Sequence, residues 1–161
     1  MAGAVLNRGS FLSGLKGAPQ RLRKAFAEDV KNVCYECHER ILEGTPVWSG
    51  EAVANWAWAM NSPNSSYMPL PYIPKMEATN HLPLGSEANR GVATQIANRT
   101  FATLSFDNPY QAYWFVNNTE QAPHLIEAAD WPELPFHPRG QANLVAITIS
   151  YVVTQLKAGN L

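Results

Sequence analysis

Gly44-Thr45-Pro46-Val47-Trp48-Ser49-Gly50, followed five residues later by Asn55-Trp56, joins a helix stop, a tight turn and the start of a strand. Upstream, Leu22, Phe26, Val30, Val33, Cys37 and Ile41 recur at steps of four, four, three, four and four, which predicts one amphipathic helix over 20–43. Pro19 fits just ahead of that helix. Gly44 fits as its left-handed terminator, and Pro46 prevents a restart. Downstream, Ala52 to Met60 carries Val53, Trp56 and Trp58, residue types that favour a strand.

The rest of the chain alternates regular elements with proline-rich connections. Residues 61–85 hold five prolines and 121–140 hold four, so both are expected to be long loops, functional or ordered by partners. Between them, Ser86 is placed to cap a helix over 87–102, with Ala88, Val92, Ile96 and Phe101 on one face. Tyr113-Trp114-Phe115-Val116 reads as a strand closed by a turn at Asn117-Asn118, with Leu104 to Phe106 as a short partner strand. Leu144 to Leu156 fits either period: Val145, Ile147, Ile149, Tyr151 and Val153 alternate, whereas Leu144, Ile147 and Tyr151 suit a helix. The expected organisation is a flexible arm over 1–19 and one α+β domain over 20–161.

Charge is distributed unevenly. Residues 1–31 hold Arg8, Lys16, Arg21, Arg23, Lys24 and Lys31 against Glu28 and Asp29, and the remainder carries the other six bases and eleven acids. A total near zero, −1, argues against a free-standing nucleic-acid binder, which needs a concentrated basic face. The first thirty residues lack the compact apolar core of a signal peptide, and no run approaches a membrane span, so cytosolic synthesis is expected.

Cys34-Tyr35-Glu36-Cys37-His38 matches a c-type haem attachment sequence, two thiols for the vinyl groups and a histidine for the iron. It is the rival functional signal, a haem or dithiol redox protein. Against it, covalent haem attachment follows export, and the helical period puts Cys37 on the apolar stripe, where free cysteine behaves as a small hydrophobe. A redox pair would also sit at a helix N-terminus, not past the middle of the helix. For zinc, the remaining histidines, His81, His124 and His137, are scattered and unpaired. No hydrolase elbow, zincin helix or phosphate-cradling loop is present, so no enzyme, metal or cofactor is expected.

The block running from the long helix through Thr45-Pro46-Val47-Trp48-Ser49-Gly50 to Asn55-Trp56 resembles the neck and tail-completion proteins of tailed bacteriophages. In that family a helix ends in Thr-Pro-Val-x-Thr-Gly and a strand opens on Asn-Trp. The family's later landmarks also have counterparts here: Phe115-Val116-Asn117-Asn118, Ile126-Glu127 and Pro138-Arg139-Gly140, in order over residues 20–156. Departures are Trp48-Ser49 for the usual Asp-Thr, Gln121-Ala122-Pro123 for Pro-Tyr-Ala, and Ala128-Ala129 where a glycine is common.

The resemblance implies a small, mostly antiparallel sheet packed on the long N-terminal helix and a second helix, with a C-terminal helix over 144–156. It further implies a virion structural protein at the head–tail junction, a sixfold homo-oligomeric ring between the connector or stopper and the tail tube or terminator. Packaged DNA would pass through without specific binding, and no membrane is involved. The structural corner would then comprise Gly44, Thr45, Pro46, Val47, Gly50, Asn55 and Trp56. Contacts with other subunits or partners are expected at Tyr67, Pro69, Tyr72, Asn117, Asn118, Glu127, Trp131, Pro138 and Gly140, and contacts with DNA or a partner at Arg8, Lys16 and Arg21.

Overall fold

The computed structural model of the chain describes residues 8–47, 49–68, 87–120, 122–123 and 143–161. Among these, the order is α1 (Arg8–Gly44), α2 (Glu51–Ala54), β1 (Trp56–Met60), α3 (Glu87–Phe101), β2 (Tyr113–Asn117) and α4 (Leu144–Ala158). The fold is α+β. β1 and β2 form a two-stranded antiparallel sheet with Trp56 opposite Asn117 and Trp58 opposite Phe115. Paired residues share a face, so Trp56, Trp58 and Phe115 line up together toward α1.

The core collects where the helices meet the sheet. Ile41 and Leu42 of α1, Val47, Val53, Trp56 and Leu144 are buried together with Ala93 and Ala97 of α3. Those alanines, four apart and fully buried, are the small face along which α3 packs on α2. On the sheet, the Trp58 and Phe115 rings stack with centroids 4.4 Å apart. Arg40 lies over the Tyr151 ring at 3.3 Å, tying α1 to α4.

Several expectations change here. α1 begins at Arg8, not at residue 20, and Pro19 lies inside it, so residues 8–19 of the expected arm continue the helix. Pro19 lacks an N–H and crowds the carbonyl one turn back, yet the helix passes through it, with Leu15, Lys16, Leu22 and Lys24 among the helix formers on either side. Gly44 is not left-handed: the positive-φ glycines among the described residues are Gly50, at φ 91°, and Gly159, at φ 71°. Gly44 leaves room instead for Leu144 of α4, whose buried side chain would have to shift to admit a Cβ there.

The expected strand over 52–60 is shortened at its start. Gly50 in the left-handed region turns the chain into one helical turn, α2, and the strand opens at Trp56. Leu104 to Phe106 makes no strand; the Phe106 ring packs on Tyr113 at 5.2 Å instead. The two-way segment 144–156 is a helix, closed by Gly159 with Asn160 N–H bonding the Gln155 carbonyl and Gly159 N–H that of Leu156. Ser86, Trp48 and most of both proline-rich stretches lie outside the described residues.

Candidate functional site

Thr45, fully buried, links the two ends of the corner. Its hydroxyl donates to the Ile41 carbonyl at 2.5 Å and accepts from the Trp56 indole N–H at 2.9 Å. Thr45 thereby satisfies a helix-end carbonyl and a buried indole at once. Arg90 of α3 reinforces the same helix end, its guanidinium donating to the carbonyls of Leu42, Glu43 and Thr45 at 2.7, 3.1 and 3.1 Å. A cation at a helix C-terminus also opposes the negative end of the helix dipole.

Asn55 fastens the outgoing loop to the corner. Its side-chain amide donates to the Glu51 and Met68 carbonyls at 3.0 and 2.8 Å, and its oxygen accepts from Met68 N–H at 2.7 Å. Asn118 holds the same loop through the Asn64 and Ser66 carbonyls, at 3.0 and 2.9 Å. Asn117 donates to the Ala52 carbonyl at 2.6 Å. Neither Asn117 nor Asn118 has a positive φ, so the asparagine pair is a clamp rather than a left-handed turn. Tyr67, half exposed, donates its hydroxyl to Glu51, and that bond first of all pushes its pKa up to about 12.

The Cys-x-x-Cys-His stretch lies on α1 against the sheet, and His38 is 1% exposed. Its Nδ1 lies 3.1 Å from the Trp58 indole nitrogen, which can only donate. Nδ1 is therefore the acceptor, and Nε2 carries the proton toward Asn98 Oδ1 at 2.7 Å. Phe101 stacks on the ring at 4.8 Å. Burial lowers the His38 pKa, opposed by the Asn98 hydrogen bond and Glu39, so the ring is neutral with both nitrogens engaged.

The thiols are equally inert. Burial, then Cys37, pushes the Cys34 thiol up to about 12, and burial, then Glu36, raises Cys37. Thiolate is scarce in such a setting. These residues do not fit an attached haem: both nitrogens of His38 are engaged, by Trp58 and Asn98, and neither has a lone pair to offer iron. No group of three or more metal-ligating side chains occurs among the described residues.

The larger chemical feature is apolar. A groove of about 530 Å³ runs along α1 between α4 and the sheet, walled by Phe26, Val33, Ile41, Phe115 and Ile149, among others, with Asp29 the charged residue in its lining. The stripe legible in the sequence is thus one wall of an open groove. Leu22, next along that stripe, is 71% exposed, and Ile149 and Leu156 on α4 are 52% and 43% exposed. No described helix is long and apolar enough to cross a membrane.

The structure brings Thr45, Asn55 and Trp56 together as one unit, with Val47 in the same core and Gly50 as the left-handed pivot. Lys16 and Arg21 are exposed on the N-terminal half of α1, and Arg8 opens that helix. Pro69, Tyr72, Glu127, Trp131, Pro138 and Gly140 lie outside the described residues. Arg90, Asn98 and Thr100, whose hydroxyl accepts from Trp58 N–H at 3.0 Å, carry the site's long-range hydrogen bonds without any sequence signal. Neither a protein-family model, a curated protein nor a solved structure matches the chain.

Proposed function

We propose that this chain is a structural subunit of a tailed bacteriophage virion, one of the copies that close a ring at the head–tail junction and let DNA pass. What carries the reading is the corner. Of the residues on which the phage resemblance rests, Thr45 at the helix stop and Trp56 at the strand start are joined by the bond from the Trp56 indole to the Thr45 hydroxyl, while Asn55 ties the turn to Glu51 and Met68. A generic turn would explain Pro46 and Gly50 but leaves that pairing without a reason.

Assembly rather than chemistry suits the remaining surface. The thiols and imidazole of the rival motif are tied up in packing, while large apolar side chains on α1 and α4 stand open to solvent. Uncovered apolar area of that kind marks contact surfaces. Ring closure needs two different complementary patches on each subunit, and the exposed, basic N-terminal half of α1 and the apolar groove between α1 and α4 are two such patches.

The test is to suppress the protein during infection and to analyse purified particles. The expected result is that the protein is a component of mature virions and that its loss leaves filled heads and complete tails unjoined. A protein missing from particles, or joined particles formed without it, overturns the reading. A Soret band that survives denaturation of the purified protein would overturn the account of Cys34, Cys37 and His38.

A further inference from the structure

We infer that neighbouring copies join by laying the N-terminal half of α1, residues 8–24, of one copy into the apolar groove between α1 and α4 of the next; this rests on the ring reading above. The two surfaces are incomplete in complementary ways. On the donor, residues 19–26 are exposed throughout, and Leu22 extends the apolar stripe past the point where its own chain covers it. Leu15 stands one heptad earlier in the sequence. On the acceptor, the groove is open and apolar, with Ile149 and Leu156 at its edge.

Lengths and charges agree. At 1.5 Å per residue the donor segment spans about 25 Å, and the groove wall from Phe26 to Ile41 about 22 Å. The donor segment 8–24 holds five bases, Arg8, Lys16, Arg21, Arg23 and Lys24, and no acid. The exposed Lys16 and Lys24 of the donor would flank an apolar seam whose lining includes Asp29. A carboxylate at the seam beside a basic donor segment favours encounter of these two surfaces. An amphipathic helix in a groove, anchored at three- and four-residue spacings, is a recurrent way to bury such a stripe.

The same chain supplies both halves, so the contact is head-to-tail and either propagates or closes into a ring. It also gives a partner to the exposed Ile149 and Leu156 of α4, which stand at the groove edge.

The test uses the full chain with two variants and native mass spectrometry. Leu22→Glu spoils the donor and Ile149→Glu spoils the acceptor, both at exposed positions that leave helix content unchanged by circular dichroism. Each variant alone is expected to associate at least about tenfold more weakly than the wild type. Mixed in equal amounts they should form a one-to-one dimer and stop, because one intact donor and one intact groove remain. Variants that assemble as the wild type does, through a groove closed by its own chain or another surface, overturn this interface and leave the ring standing. Variants that fail to associate even when mixed also overturn it. A wild type that stays monomeric and is missing from particles overturns the ring reading as well.

Discussion

The two ends of α1 obey different rules. At its C-terminal end the helix stops in a corner where Thr45, Asn55 and Arg90 pair the polar groups of the helix end and its turn, and where Ile41, Leu42 and Trp56 are at most 4% exposed. At its N-terminal end the same helix runs on with residues 19–26 exposed and Leu22 at 71%. One periodic pattern therefore covers two functions. Where the stripe meets the sheet it makes a core, and toward the N-terminus, past the contacts of Arg23 with Asp107 and of Phe26 with Tyr110, it makes an exposed surface.

The sharpest way to break that division is to truncate one residue at each end. Trp56→Ala removes a buried indole that packs on Phe115 at 4.8 Å and bonds Thr45, and should cost about 3–5 kcal/mol in urea unfolding. Leu22→Ala at the exposed end should change stability by less than about 0.5 kcal/mol. Comparable losses at the two sites would mean that the N-terminal half of α1 is part of the folding unit, and the contrast would fall.

A smaller change sharpens what holds the corner. Thr45→Val keeps the shape of the side chain and removes the acceptor for the Trp56 indole, leaving a buried donor unmet at about 1–3 kcal/mol. The same variant frees the Ile41 carbonyl of its second partner, although the Thr45 backbone N–H still bonds it at 2.9 Å. Equal stability of the variant and the wild type would reduce the corner to packing alone.

Local signals were legible and reciprocal ones were not. The stripe of α1, the strand at Tyr113 and the helix at 87–101 follow from spacing, because period and residue type act within a few positions. Pro19 misled because its missing N–H and ring clash, about 3 kcal/mol or more, disfavour a helix without forbidding one that continues on both sides. Gly44 stood out in the sequence as a left-handed stop, whereas in the structure its bare Cα makes room for Leu144, one hundred residues away in sequence. Arg90 and Asn98 sit on α3 as ordinary polar residues, and only the packing of α3 on α1 turns them into a helix cap and a histidine partner. The haem-like pentapeptide fails for the same kind of reason, since Trp58 and Asn98 reach His38 from distant elements.

His38 offers the gentlest probe, because it touches only the pH slope of stability. Burial holds the native ring's proton affinity below the ordinary value of 6.5, and the charge facing it is Glu39 on its own helix, with Asn98, Phe101, Trp58 and Phe115 packed around it uncharged. Above pH 6.5 neither state carries the extra proton, so the neutral ring's contribution is fully present. As the pH falls through 6.5 the unfolded chain binds the proton first, and stability declines until the native ring also titrates. Protonation would set two donors, Nδ1–H and the Trp58 indole N–H, against each other across 3.1 Å. His38→Gln replaces the ring with an amide that has an acceptor for Trp58 and a donor for Asn98 but no proton to gain. Urea melts of both proteins between pH 7.5 and the acid limb, on a scale of roughly one pH unit per step, should show the wild type losing stability faster than the variant below 6.5. Parallel curves would mean that His38 has the same proton affinity folded as unfolded, hence a solvated ring, and a wild type gaining stability on the variant as the pH falls would mean a ring charged in the native state; either outcome removes His38 from the buried, neutral half of the contrast between the two ends of α1.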